Sequence, residues 1–173
     1  MKMKKEFMVL GIIIALLLAY LVMKKKDNIQ YDLPDVAEVK LETLDKIEIV
    51  KPDQTITLVK KDDKWQIAPD GFPTDDGKIK TITERTAQLV LTDLISRSKN
   101  YSMYHLHKEK AIGVKAYAGE KTVREFEIGK AAATYGHTFV KLKDDTNVYQ
   151  ARESFRTNFD VKIDDLRNKN VMT

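Results

Sequence analysis

Cysteine is absent from the 173 residues, which excludes disulfide staples, thiolate zinc sites, iron-sulfur clusters, a cysteine nucleophile and a lipidated cysteine anchor. Catalytic signatures are lacking too: the chain has no Gly-x-Ser-x-Gly elbow, His-Glu-x-x-His helix, dinucleotide fingerprint or Asp-x-Asp-x-Asp-Gly calcium loop. Surplus charge is confined to one end. Residues 1–27 carry six Lys against Glu6 and Asp27, and these account for the whole net charge of +4. Residues 28–173 hold 24 Lys+Arg and 24 Asp+Glu and are neutral. The basic balance therefore says nothing about DNA or RNA, and no nucleic-acid partner is expected. The length suits one domain and one appendage.

What is present first is an apolar run, Phe7 to Met23, seventeen residues without a charge. As a helix it would measure about 25 Å against a hydrocarbon core of about 30 Å, and flanking Lys side chains can extend toward headgroups to close the gap. Tyr20 suits an interface. A soluble helix would need a polar stripe, and this run has none. The sequence therefore predicts a transmembrane signal anchor over 7–23, with the lipid bilayer as its partner. It is expected to be retained, because no small-x-small cleavage site precedes Lys24. Residues 1–6 read as a cytoplasmic tail and 24–44, with Pro34 and scattered acids, as a tether. Lys2, Lys4 and Lys5 balance Lys24, Lys25 and Lys26, so lysine counts do not fix orientation. The short tail emerging first favours a cytoplasmic N-terminus, a single pass through the cell inner membrane and a periplasmic domain.

Residues 45–173 read as one α+β domain. Lys46 to Val50, Thr55 to Lys60 and Lys64 to Ala68 alternate apolar and polar residues and are separated by hairpin-length gaps, the pattern of an antiparallel meander. Ile79, Ile82, Thr86, Leu89, Val90 and Leu94 then predict one long amphipathic helix from about Asp75 to Ser96, with Asp75 and Asp76 at its start. Gly113 to Ala118, Thr122 to Gly129, Thr138 to Lys143 and Asn147 to Ala151 predict four more strands, with a bulge or face change near Glu125. Short helices near Glu153 to Asn158 and Ile163 to Asn168 close the domain. About seven short strands and one long helix exclude a parallel nucleotide-binding sheet.

Several residues invite chemistry. His105-x-His107 would place two imidazoles on one face of a strand, and His137 is a third candidate metal ligand. Exposed structural histidines explain all three as well, and no metal, cofactor or catalytic residue is assigned. Gly119-Glu120-Lys121-Thr122 looks like a phosphate loop, but Glu120 would repel phosphate and its context is a hairpin. Turns and helix starts account for Asp62-Asp63, Asp144-Asp145 and Asp164-Asp165. Asn100-Tyr101-Ser102 fits the glycosylation triplet. Tyr101, Tyr104, Tyr117, Tyr135 and Phe139 are candidates for a groove or for the core and its edges.

In order along the chain, Asp45-Lys46-Ile47-Glu48-Ile49, Lys64-Trp65-Gln66-Ile67, an Asp-initiated helix, Phe126-Glu127-Ile128-Gly129, Thr138-Phe139-Val140-Lys141, Asn147-Val148-Tyr149-Gln150 and Asp164-Asp165-Leu166-Arg167-Asn168-Lys169 resemble a bacterial family, domain-of-unknown-function family 4340. The resemblance spans about residues 45 to 170. It implies a membrane-anchored extracytoplasmic domain, in some members associated with transporter components of the gliding-motility ABC type. Longer members continue into another strand-rich repeat, and this chain reads as a single unit. The family has no accepted catalytic residues, so none is carried over. A non-catalytic binding or scaffold module for envelope or transporter proteins is the expected function. The alternative is a membrane-anchored envelope enzyme, such as a hydrolase, or a small-ligand-binding protein with a groove beside the helix and the loop Ser98 to Lys110.

Overall fold

The alternation of apolar residues along 46–68 and 112–152 dictates a sheet with one buried face, and a computed structural model of the chain shows that sheet in full. It describes residues 5–23, 32–133 and 136–169. Two units are distinct, Met1–Asp32 and Leu33–Thr173.

The first unit contains helix α1, Lys5–Met23, 19 residues long. Its side chains from Phe7 to Tyr20 are exposed on every side, Leu16 to 65%. Among the described residues, no helix is long and apolar enough to cross a membrane. With Lys5 and Glu6 in its first turn, α1 measures about 28 Å end to end, slightly under the hydrocarbon thickness. The expected span over 7–23 is thus seen only as an exposed apolar helix. Residues 1–4 of the expected tail and 24–31 of the expected tether lie outside the described residues.

In the second unit, β1 (Lys46–Val50), β2 (Thr55–Lys61), β3 (Lys64–Ala68) and β4 (Phe72–Pro73) form one meander. Helix α2 (Asp76–Ala87) leads to β5 (Leu91–Ser96), and β6 (Ile112–Ala118), β7 (Lys121–Ala131), β8 (His137–Leu142) and β9 (Val148–Arg152) form a second meander. Antiparallel pairing of β1 with β6 fuses them into one nine-stranded sheet, ordered β4-β3-β2-β1-β6-β7-β8-β9-β5. The sheet's inner face carries Ile47, Ile49, Leu58, Val114, Phe126 and Val140, all buried, and α2 covers it with Ile79 and Ile82. Phe155, Phe159 and Leu166 complete this core from α3 (Arg156–Phe159), its preceding residue, and α4 (Ile163–Leu166).

Three expectations are corrected. The long helix stops at Ala87, and Leu91 to Ser96 is a ninth-edge strand paired with β9. The helical spacing of Val90 and Leu94 is overridden because the β9 edge offers backbone partners to a segment containing the β-branched Thr92 and Ile95. The sheet has nine strands, since this edge and the two-residue β4 also join it. Finally, the domain begins before Asp45. Val39 and Leu44 are buried, Leu33, Val36 and Leu41 pack beside them, and only the part of the expected tether before Leu33 lies outside this unit.

Arg124 explains part of that docking. It points inward from β7, 7% exposed, and its Nη2 donates to the carbonyl oxygens of Ala37 (2.5 Å) and Ala87 (3.2 Å). Ala87 is the last residue of α2, where carbonyls lack helical partners and the dipole is negative, so a guanidinium is well placed there. Burial lowers the pKa of Arg124. The irregular alternation foreseen near Glu125 is a bulge at Val123, because Ala116 and Tyr117 pair with Arg124 and Thr122.

Candidate functional site

The outer face of the sheet is built from the residues that alternate with the core. In strict antiparallel register Lys115 lies opposite Glu125 and Glu127 opposite Lys141. Directly opposed side chains approach closely, so these become cross-strand ion pairs, 3.2 Å for Lys115–Glu125 and 3.1 Å for Lys141–Glu127. Lys143 adds a second bond to Glu125 at 2.7 Å. On β1, Glu48 accepts from Lys46 at 2.8 Å and from the Tyr117 hydroxyl at 2.9 Å.

These contacts set the protonation states. The hydrogen bond from Lys46 lowers the Glu48 carboxyl pKa, with burial opposing and Tyr117 assisting. At Glu125 burial raises the pKa, but hydrogen bonds from Lys143 and Lys115 outweigh it and the net shift is downward. Asp145 behaves likewise. Burial raises its pKa, while the Tyr149 hydroxyl at 2.5 Å and the Asn147 backbone N–H at 2.8 Å bring it below the usual value.

The face is open on one side and covered on the other. Residues 97–111 connect β5 at the sheet edge to β6 near its middle and so cross over β7 and β8. Tyr104 meets Phe139 edge to face at 5.0 Å, and Leu106 is buried. Gly129 makes the crossing feasible. A Cβ there would collide with the Tyr104 carbonyl and lie 3.0 Å from Leu106 Cγ, so only glycine lets the crossover lie flat on β7. Beside it runs a trough of about 580 Å³ whose floor is Val50 and Gly113 and the strand backbone at Val114 and Phe126, whose side chains point to the inner face. Its walls are the ion-paired Lys115, Glu125, Glu127, Lys141 and Lys143, together with the β8–β9 hairpin at Asp144 to Thr146. A second concavity shares Val50, Gly113 and Glu127 and reaches the crossover at Lys108 and Glu109.

The residues singled out from the sequence fall in several places. His105 and His107 lie in the crossover with ring centres 6.4 Å apart, while His137 opens β8 opposite Arg152. Among the described residues no group of three or more potential metal ligands converges. Asp62 and Asp63 form the β2–β3 turn with positive φ, Asp144 turns the β8–β9 hairpin, and Asp164 and Asp165 open α4. Gly119 and Glu120 turn β6 into β7. Asn100 is exposed just before a short 3₁₀ turn. Of the aromatic set, Tyr104 and Phe139 meet, and Tyr101 donates its hydroxyl to the Thr146 carbonyl at 2.9 Å. Tyr117 sits apart on Glu48, and Tyr135 lies outside the described residues. Sequence reasoning missed the Lys115–Glu125–Lys143 and Glu127–Lys141 pairs, although opposite charges at facing positions of two expected hairpins were the signal. Arg124 and the Gly129 contact gave no local signal, because their partners are distant in sequence.

The fold and this face define an α+β module built on a nine-stranded antiparallel sheet, with a trough of paired charges on its solvent side. The profile of the domain of unknown function DUF4340 matches residues 65–173, and the chain belongs to that family. No curated protein and no solved structure matches the chain.

Proposed function

We propose that this protein is a membrane-anchored module whose domain acts outside the cytoplasmic membrane as a non-catalytic binding or scaffold unit for an envelope or transporter protein. The trough on the outer sheet face carries the reading. An exposed apolar side chain, Val50, lies beside Gly113 at its floor and charged side chains wall it, the arrangement of a protein interface with an apolar centre and a charged rim. Its volume would also suit a small molecule, but its charged walls already satisfy one another, which favours a broad polar partner over a concentrated ligand charge.

The anchor is the second part of the proposal. Burying a single Leu, Ile or Phe side chain is worth about 1.5–3 kcal/mol, so a helix with apolar residues on every side requires a covering. Lipid is the proposed one, with α1 acting as a retained signal anchor and its N-terminus in the cytoplasm. The roughly 5 Å by which the apolar run falls short of the hydrocarbon thickness is met by bilayer thinning and by lysine stems reaching outward.

Both parts are open to one experiment. A photo-reactive amino acid at Val50, which is 38% exposed on the trough floor, is expected to cross-link in cells to a discrete membrane or envelope protein. The adduct should be lost with Lys141→Glu and absent when the probe is at Asp62. Protease added to spheroplasts should digest the domain. Absence of an adduct defeats the binding role, and a chain recovered free of membranes defeats the anchor.

A further inference from the structure

Charge over residues 28–173 sums to zero, yet the crossover is lopsided: 97–111 contains Arg97, Lys99, Lys108 and Lys110 against Glu109 alone, with His105 and His107 between them. Other elements bring further cations to the same place. The Tyr104 carbonyl sits directly over Gly129, so His105 follows it above the end of β7, where Lys130 is the next residue. From α3, the Arg156 guanidinium donates to the carbonyls of Gly129 (2.9 Å), Ile128 (3.0 Å) and Lys110 (2.8 Å), fixing the crossover to β7. Its Nε lies 3.8 Å from Asp160, a carboxylate half exposed on the same helix end. Among the described residues, Lys108, Lys110 and Lys130 form no ion pair. Cations gathered this way repel one another.

The two imidazoles are held by the crossover backbone. His105 has a left-handed backbone, φ 56°, at the end of the 3₁₀ turn, and its ring stands almost perpendicular to that of His107. His107 Nδ1 is buried and has no hydrogen-bond partner among the described residues. Burial lowers the His105 pKa, and the charges of Lys110, Lys130, Arg156 and His107 lower it further. The charged groups that lower it are cationic, so an arriving anion would oppose them.

We propose that this rim is an anion site for a phosphate group, bound by His105, His107, Lys110 and Lys130 on a base fixed by Arg156. Phosphate offers several strong acceptor oxygens to imidazole and ammonium donors, which form short charge-assisted bonds with it. The guanidinium is already engaged by three carbonyls and contributes charge rather than a forked contact. Binding raises the His105 pKa and takes up a proton, so affinity increases as pH falls. The inference is independent of the protein partner proposed for the trough.

Ring-labelled histidine NMR on the full chain in a maltoside detergent tests it, since the chain has three histidines. Inorganic phosphate and dihexanoyl phosphatidylglycerol below its micelle concentration are titrated separately against chloride at equal ionic strength. A rise of about one unit in the His105 pKa is expected, equivalent to about tenfold tighter binding at low pH. His105→Asn, which tolerates the left-handed backbone, should remove the His105 share of the pH dependence, and Lys110→Ala with Lys130→Ala should weaken binding severalfold while the His137 signals stay in place. A response to phosphate alone assigns the free anion, and a stronger response to the lipid assigns a headgroup. Equal shifts with chloride, or shifts unchanged in the double lysine variant, overturn the site.

Discussion

The two faces of the sheet use the same strands in opposite ways. The inner face is held by volume: Phe126, Ile128 and Val140 fill space against α2 and α3, and any apolar residue of similar size would serve there. The outer face is held by particular partners, an absent side chain at Gly129 and facing charges at Lys115, Glu125, Glu127 and Lys141. The difference separates stability from surface shape. A filled core sets whether the domain folds, while the sparse outer contacts set where the crossover lies and how wide the trough is.

The sharpest way to break this contrast is on the inner face. Phe126→Ala removes a ring that is 1% exposed and should cost about 3–5 kcal/mol in chemical denaturation of the full chain. A loss under 1 kcal/mol would mean the inner face is not the main source of stability. On the outer face, Gly129→Ala forces the crossover away from β7 and should cost about 1–3 kcal/mol. Its specific signature is loss of the Tyr104–Phe139 ring contact, visible as altered Tyr104 aromatic shifts. Unchanged shifts would show that β7 and the crossover do not meet there.

The smallest effect belongs to the ion pairs. Glu125→Gln should change stability by at most about 1 kcal/mol at neutral pH, because the pairs are partly solvated. It should, however, reduce the acid sensitivity of folding. Glu48, Glu125 and Asp145 all have folded pKa values below their ordinary ones. Their contribution is therefore complete above the usual carboxylate range of about 4 and is lost as pH falls through the lowered folded values. Thermal midpoints measured from pH 6 to pH 2 should fall less steeply in the variant. Identical slopes would remove Glu125 from the account.

Much of the fold was legible in the residues. Period-two alternation placed β1, β2, β3 and the β6–β9 meander within a residue or two at most ends, and Asp75 marked the α2 start, accepting from the Lys78 backbone N–H at 3.0 Å. Leu91 to Ser96 was misread because Leu94 fits a helical face as well as a strand, and the deciding partner lies more than fifty residues away in β9. Residues 33–44 were read as tether because their apolar side chains are spaced irregularly, and their hold on the domain comes from core contacts and Arg124.

The candidate site was less legible than the sheet. His105 and His107 were noticed as possible metal ligands, but the cations around them come from β7 and α3 as well as the crossover. No local spacing encodes that meeting.

The sequence alone determined the apolar N-terminal helix, the neutral domain and the two antiparallel meanders, because each depends on composition or on the short period of a helix or strand. Only the tertiary structure decided that β1 pairs with β6, that the crossover lies on Gly129, and that Lys130 and Arg156 join the crossover cations. Those outcomes depend on contacts between distant segments, for which neighbouring residues carry no physical information.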